Sequence, residues 1–126
     1  MNRGTSGAKS IPPVQGRRAE DVALGFLEEE GLRLVARNYR CRGGEIDLIM
    51  DDGHCLVFVE VRYRRSARYG SALESVDVRK QSKLIRCASH YLSARRIDKA
   101  VRFDVIGIGL EAGKLAIQWV RDAFEA

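Results

Sequence analysis

The sequence predicts an α/β protein in which a mixed β-sheet is flanked by helices, with the elements in the order αβββαββ. Two segments, 19–27 and 81–92, carry apolar residues at the spacing of an amphipathic helix. Five further segments show the alternation or the short apolar runs that are typical of strands. Helices and strands in this order imply a mixed sheet with helices packed against it.

Length and composition agree with one folded domain. The 126 residues are 45% hydrophobic and 31% charged, which excludes a disordered polyelectrolyte and allows a sizeable core. The longest apolar runs, Leu56–Val59 and Val105–Leu110, fall far short of the ~20 residues that span a bilayer. Residues 1–15 combine Gly, Ser, Thr and Lys with Pro12-Pro13, so we expect a disordered N-terminal arm followed by a single domain over 16–126.

Neither a secretory signal nor a disulfide framework is expected. Residues 1–16 contain no apolar stretch. The three cysteines, Cys41, Cys55 and Cys87, are odd in number and show no Cys-x-x-Cys spacing, which favours a reducing cytoplasm. We therefore expect a cytoplasmic protein that does not contact a membrane.

The N-terminal part of the chain is expected to form one helix and one strand. The helix begins near Arg17 and ends at the acidic run 28–30, which Gly31 follows. Leu32–Tyr39 alternates weakly and predicts the first strand. The apolar stripe of the helix consists of Ala19, Val22, Ala23, Phe26 and Leu27.

A hairpin, a second helix and two final strands complete the prediction. Glu45–Met50 and Cys55–Tyr63 alternate as strands on either side of an Asp-Gly turn signal. Asp77 is the expected N-cap of the second helix. Arg102–Ile108 and Leu115–Trp119 are the last two strands. The inner stripe of the second helix consists of Gln81, Leu84, Ile85, Ala88, Tyr91 and Leu92.

The predicted hairpin gathers acidic side chains on one face. A two-residue type I′ turn at Asp52-Gly53 places Glu45 opposite Glu60. Because side chains alternate along a strand, one face then carries Glu45, Asp47, Phe58, Glu60 and Arg62. The other face is hydrophobic and consists of Ile46, Leu48, Met50, Val57, Val59 and Val61.

Three carboxylates on one face of a hairpin are unfavourable without a counter-charge. Directly opposed Cβ atoms lie ~4.5–5.5 Å apart, and like charges at that distance destabilise the strand pair. A divalent cation relieves this repulsion, since Mg²⁺ prefers carboxylate oxygen and water as ligands. The pattern is equally that of a half-exposed hairpin with ordinary acidic residues, whose charge Arg62 neutralises in part.

Two polar residues at the edges of the helical stripes bear on the same site. Glu20 aligns with the margin of the first stripe and can lean towards the sheet, whereas a glutamate in a first helical turn also interacts favourably with the helix dipole. Gln81 opens the second stripe and is expected to point inward near an end of the sheet. The other interpretation of Gln81 is a polar residue at the frayed edge of the stripe.

Basic residues are segregated along the chain. The net charge is only +5, but residues 31–44, 61–73 and 78–97 each contain at least four Arg or Lys residues and no acidic residue. Segregated cations interleaved with tyrosine are what a polyphosphate backbone requires. They are equally compatible with three solvated basic faces.

The motifs Gly-Glu-Ile-Asp-Leu-Ile at residues 44–49 and Phe-Val-Glu-Val-Arg at residues 58–62 resemble those of the YraN family of small bacterial proteins. That family is a branch of the PD-(D/E)XK nuclease superfamily and is related to Holliday-junction resolvases. The resemblance extends over nearly all of 16–124. It implies a restriction-endonuclease-like core and phosphodiester hydrolysis that depends on Mg²⁺ or Mn²⁺. Supporting matches are Ala19-Glu20, Arg37–Arg40, Lys80-Gln81, Arg102–Val105 and Ala123-Phe124.

The resemblance implies roles for single residues. Asp47 and Glu60 correspond to the motif acids, and Arg62 stands where the superfamily has lysine. Arginine stays charged at every relevant pH, so it cannot be a general base, although it can stabilise charge on a phosphate. We expect Asp47 and Glu60 to be the metal ligands, with the Val61 carbonyl as a third, while Glu20 and Glu45 either bind the metal through water or occupy a second metal position. The implied catalytic residues are Glu20, Asp47, Glu60, Arg62 and Gln81.

These inferences predict a metal-dependent endonuclease that acts on structured or branched DNA. One alternative, which Arg62 favours, is a non-catalytic nucleic-acid-binding module with a nuclease-like fold. Another is a protein-interaction domain whose basic faces meet acidic partners. Resolvase-like relatives form dimers, so the resemblance also allows a homodimer. The expected contacts with nucleic acid are Arg40, Arg42, Arg64, Arg65, Arg68, Lys80 and Lys83.

Overall fold

The structure is a computed structural model that describes residues 17–64 and 71–126. Its elements follow the predicted order αβββαββ. The helices are α1 (Arg17–Glu29) and α2 (Val78–Arg95). The strands are β1 (Arg33–Cys41), β2 (Gly44–Asp51), β3 (Leu56–Arg64), β4 (Val101–Glu111) and β5 (Lys114–Phe124). The N-cap prediction is confirmed, because the Asp77 carboxylate accepts a hydrogen bond from the Lys80 amide.

The five strands form one mixed sheet in the order β1-β2-β3-β4-β5. Neighbouring strands are antiparallel except for β3 and β4, which are parallel. A parallel pair needs a crossover connection, and α2 lies in the segment that connects β3 to β4. This mixed sheet between helices confirms the predicted fold class and is consistent with a restriction-endonuclease-like core.

The sheet is buried on both faces, with one helix against each. The α1 face packs Ala23 and Leu27 against the β2 and β3 side chains of Leu48 and Val59. The α2 face packs Leu84 and Tyr91 against residues such as Phe58. The face of the hairpin on which the sequence places Phe58 beside the acids is therefore a second core, and the Phe58 side chain is 2% exposed.

The register of the hairpin differs from the prediction by two residues. Asp51 pairs with Leu56, so four residues rather than two lie between the paired positions. The cause is Asp52, whose carboxylate accepts hydrogen bonds from the His54 and Cys55 amides and from Arg102. A side chain that caps its own turn in this way stabilises a longer loop. Glu45 is therefore not opposite Glu60.

The last pair of the β2–β3 ladder is Leu48 with Val59. Continued by one residue, this register brings Asp47 level with Glu60. Beyond the ladder the alternation of β2 is interrupted, because Ile46 lies in the core on the α2 face, whereas Leu48 lies in the core on the α1 face. The prediction that Ile46 shares a face with Leu48 is wrong for this reason.

Three further predictions concern the cysteines, the N-terminal arm and contact with a membrane. A single disulfide between Cys41 and Cys87 joins β1 to α2, which corrects the prediction from the cysteine pattern that no disulfide framework is present, and Cys55 is free. The predicted arm at residues 1–15 lies outside the described residues. Within the part of the chain that is described, neither helix is long and apolar enough to cross a membrane.

Candidate metal centre

Three carboxylates from two elements meet at the start of β2. Glu20 lies in the first turn of α1, and Glu45 and Asp47 lie on β2. Each offers one oxygen that is within 4.8 Å of the other two. All three side chains are half-buried. The structure thus confirms that Glu20 leans towards the sheet, and we call Glu20, Glu45 and Asp47 the acidic cluster.

Asp47 is held between two strands where their ladder ends. Its Oδ2 accepts a hydrogen bond of 2.8 Å from the backbone amide of Val61 on β3. Burial, and then the negative charge of Glu60, raise the pKa of the Asp47 carboxyl to about 8, against the lowering effect of the Val61 hydrogen bond. A cation that approaches this carboxyl stabilises its ionised form, because the positive charge compensates the negative charge that burial disfavours.

Glu60 is the most buried acid near the cluster, with a side chain that is 4% exposed. Its Oε2 is 3.0 Å from Arg62 Nη1 and 3.7 Å from Lys80 Nζ. Its Oε1 is buried and has no hydrogen-bond partner among the described residues. A buried polar atom without a partner is costly. This orphaned oxygen is the observation that separates the site from an ordinary acidic surface.

The half-buried Arg62 is anchored by all three of its guanidinium nitrogens. Besides the Glu60 contact, Nε donates to Ser75 Oγ at 3.2 Å and Nη2 donates to the Ser75 carbonyl at 2.6 Å. The guanidinium therefore fixes Glu60 against the segment that precedes α2. Gln81, the other expected catalytic residue on this side, donates from Nε2 to the Val76 carbonyl at 3.0 Å. That bond holds Gln81 at the start of α2.

The sequence interpretation gave no role of its own to Asn38. Its Nδ2 donates to both oxygens of Glu20, at 3.0 and 3.1 Å, and to Glu45 Oε2 at 3.1 Å. The neighbouring Arg37 contacts Glu20 and Asp21. The sequence offers one signal for Asn38. Asparagine is depleted in strands, yet this residue lies within the predicted first strand.

The expected nucleic-acid contacts divide into three groups. Arg40, Arg42 and Lys83 are exposed, and the β1–β2 turn lies against α2 because a Cβ on Gly44 would be 3.8 Å from Lys83 Cβ. Lys80 is half-buried beside Glu60. Arg64 is half-buried at the end of β3. The remaining two, Arg65 and Arg68, lie outside the described residues.

Comparison with known proteins identifies the family. The profile of "Uncharacterised protein family UPF0102" matches residues 19–108. The chain belongs to this family. UPF0102 is the YraN family that the sequence resembles, and the matched range contains every candidate site residue described above.

Relatives of the UPF0102 chain are similar over most of their length. A UPF0102 protein of Nitrosococcus oceani is 52% identical over 87% of this chain and 90% of its own. A UPF0102 protein of Methylococcus capsulatus is 49% identical over 90% of this chain and 93% of its own. Among solved structures, Pyrococcus furiosus SfsA in complex with Ca²⁺ matches 87% of this chain and 63% of that chain at 15% identity, with a TM-score of 0.36.

Proposed function

We propose that this protein is a metal-dependent nuclease that hydrolyses phosphodiester bonds in DNA, with structured or branched DNA as the expected substrate. The observation that carries the proposal is the orphaned Glu60 Oε1 beside the acidic cluster. Four acids in one place, of which one is buried with an unpartnered oxygen, are unfavourable for folding alone. Their arrangement is explained by a function that needs them.

The donor set suits a hard divalent cation, Mg²⁺ or Mn²⁺. Carboxylate oxygens are the ligands that these ions prefer, and each ion retains several waters. When bound, such a cation would act as a Lewis acid towards a phosphodiester. Glu20, Glu45 and Asp47 would hold it, and Glu60 and the Val61 carbonyl remain the further ligands expected from the sequence.

The residues around the acids have separate tasks in this proposal. Arg62 positions Glu60 and, because it stays protonated at every relevant pH, does not act as a general base. Lys80 reaches the same carboxylate from α2. It therefore adds a second positively charged side chain where a phosphate would lie. Arg42 and Lys83 extend the positive charge along the surface, where they would contact phosphates rather than bases. Arg40, whose Nε is 3.4 Å from Glu45 Oε1, would join them from the edge of the acidic cluster.

The test compares cleavage and binding in the same variants. Branched, duplex and single-stranded DNA are incubated with wild-type protein and with Asp47→Ala, in Mg²⁺ or Mn²⁺. We expect wild-type cleavage, no cleavage by Asp47→Ala, and similar affinity of both for DNA in the absence of divalent ions. Glu28→Ala is the matched control, because Glu28 is an exposed acid of α1 outside the cluster, and it should cleave as the wild type does.

Two results would contradict the proposal. Cleavage by Asp47→Ala at the wild-type rate removes the acidic cluster from the reaction. DNA binding without any cleavage in either metal supports the alternative of a binding module with a nuclease-like fold. The specific observation in favour of that alternative is Arg62, since its side chain is committed to Ser75 and Glu60 where the superfamily has lysine.

A further inference from the structure

We infer that Asn38 is a positioning residue that holds the carboxylates of Glu20 and Glu45 in place for a divalent cation. The inference rests on the proposed function, because it presupposes that the acidic cluster binds an ion. It assigns a role to a residue to which neither the sequence motifs nor the cluster gave one.

The amide of Asn38 joins two elements that share no ladder. Glu20 belongs to α1, and Glu45 belongs to β2, while Asn38 lies on β1 between them. One Nδ2 atom is 3.0 and 3.1 Å from the two Glu20 oxygens and 3.1 Å from Glu45 Oε2. Hydrogen bonds to a carboxylate are charge-assisted and directional. The amide therefore fixes the distance between two acids that would otherwise repel each other.

The backbone conformation at position 38 favours asparagine. Its φ is +50°, in the left-handed region, and it lies between the β1–β2 pairs Arg37–Leu48 and Tyr39–Ile46, level with Asp47. Asparagine tolerates this conformation better than most residues other than glycine. Glycine adopts it freely but has no donor, and aspartate would add another negative charge. Asparagine is thus the residue type that combines the conformation with a neutral pair of N–H donors.

The Asn38 amide does not compete with a cation for the carboxylates. Two carboxylate oxygens together offer about four lone-pair positions, so an oxygen that accepts one hydrogen bond can still coordinate an ion. Arg37 is a weaker candidate for the same task. Its Nη2 is 2.9 Å from Asp21 but 3.4 Å from Glu20, and a full positive charge at the cluster would oppose the ion.

The test uses a glycine substitution that keeps the backbone. Asn38→Gly removes the side-chain amide, and glycine adopts a φ of +50° without strain. The matched control is Ala112→Gly, because Ala112 has φ +51° in the exposed turn between β4 and β5, away from the acids. Mn²⁺ affinity is measured by calorimetric titration of each full-length protein. We expect Kd to rise roughly 10- to 100-fold in Asn38→Gly, as for other residues that orient metal ligands, and to stay unchanged in Ala112→Gly.

A double-mutant cycle distinguishes positioning from general stability. If Asn38 acts through Glu45, then Asn38→Gly should change Kd much less in a Glu45→Gln background than in the wild type. A purely structural role predicts the same fold-change in both backgrounds. Equal Kd values for Asn38→Gly and wild type, or tighter binding by the variant, would overturn the inference.

A measurement on the wild type keeps the inference testable even if Asn38→Gly does not fold. The side-chain ¹H–¹⁵N signals of Asn38 are followed during titration with Mg²⁺, which is diamagnetic. They should shift and saturate together with the Mg²⁺-dependent rise in Tm, while those of Gln118, which accepts a bond from the Ala72 amide, should not. Signals of Asn38 that stay constant while Tm rises would refute the positioning role alone. Absence of any Mg²⁺ or Mn²⁺ binding would refute the proposed function instead.

Discussion

Asp47 is the residue at which the conflict between folding and function is greatest. Its pKa is raised to about 8, mainly by burial and then by Glu60, while an unfolded chain would titrate it near 3.8. Between these values the folded protein binds a proton that the unfolded chain releases. Stability therefore falls as pH rises through this window, and above pH 8 the folded protein carries the full cost of the buried charge.

Asp47→Asn should abolish this contribution to the pH dependence. Asparagine keeps an oxygen for the Val61 amide but carries no charge. We expect the variant to be more stable than the wild type at pH 8 by roughly 1–3 kcal/mol, and nearly equal at pH 4. Urea unfolding at both pH values measures this difference. Mn²⁺ should raise Tm of the wild type by mass action and that of Asp47→Asn much less. Identical pH profiles for the two proteins would contradict the assignment.

Arg62 offers a second test at the scale of a residue. Removing its charge in Arg62→Met would leave the buried Glu60 with only Lys80 at 3.7 Å, and uncompensated buried charges are strongly destabilising. We expect a loss of about 3 kcal/mol in urea unfolding. In a Glu60→Gln background the same substitution should cost clearly less, because the charge it uncovers is gone. An equal loss in both backgrounds would show that Arg62 acts through Ser75 alone.

Individual site residues could be predicted only where periodicity or a sequence motif identified them. Asp47 and Glu60 follow from alternation and from the motifs, and the approach of Glu20 follows from its place beside the helical stripe. The role of Asn38 depends on a left-handed backbone and on contacts to residues 18 and seven positions away in sequence. Neither periodicity nor charge counting detects such a contact, which arises only when α1 is packed against the sheet.

Among the elements, the β2–β3 hairpin shows which part of a register can be inferred from a sequence. The strands and the core face of Leu48 and Met50 follow from alternation, and a two-residue shift preserves that alternation. The shift itself came from the Asp52 side chain, which captures the His54 and Cys55 amides. The turn signal Asp-Gly was compatible with both loops. Sequence therefore indicated that acids converge, while the structure determined which of them meet.

Two glycines in different elements provide a paired prediction. A Cβ on Gly109 of β4 would strike the backbone carbonyl of Arg64 on the parallel strand β3, whereas a Cβ on the helical Gly25 of α1 would meet nothing within 4 Å. Gly109→Ala should therefore lower the free energy of unfolding by roughly 2 kcal/mol. Gly25→Ala should raise it by about 0.5–1 kcal/mol, because alanine is the better helix former. Chemical denaturation of both variants checks the opposite signs.

For the whole molecule, the two ends of β2 differ in the charged side chains around them. At its end, Asp51 is 2.7 Å from Lys99, and Asp52 is bonded to Arg102. At its start lies the acidic cluster, and the adjacent Glu60 is 3.7 Å from Lys80 of α2, a helix with five Lys or Arg residues and no acidic one. The near balance of 22 basic and 17 acidic residues hides this polarity. The net charge of the chain therefore does not predict where charged side chains come together on the folded surface.

This polarity predicts how binding responds to salt. Lys83 and Arg42 are exposed at the end of the sheet where β2 begins, so each should displace a counterion from DNA. The exposed Arg96, at the C-terminal end of α2, should not. In EDTA, which prevents cleavage, the slope of log Kd against log salt concentration should decrease by about 0.9 for Lys83→Gln or Arg42→Gln, without any preference for particular bases. Fluorescence anisotropy at several NaCl concentrations measures these slopes. An equal decrease for Arg96→Gln would mean that the charge acts over the whole surface, and the sheet end where β2 begins would then not be the DNA interface.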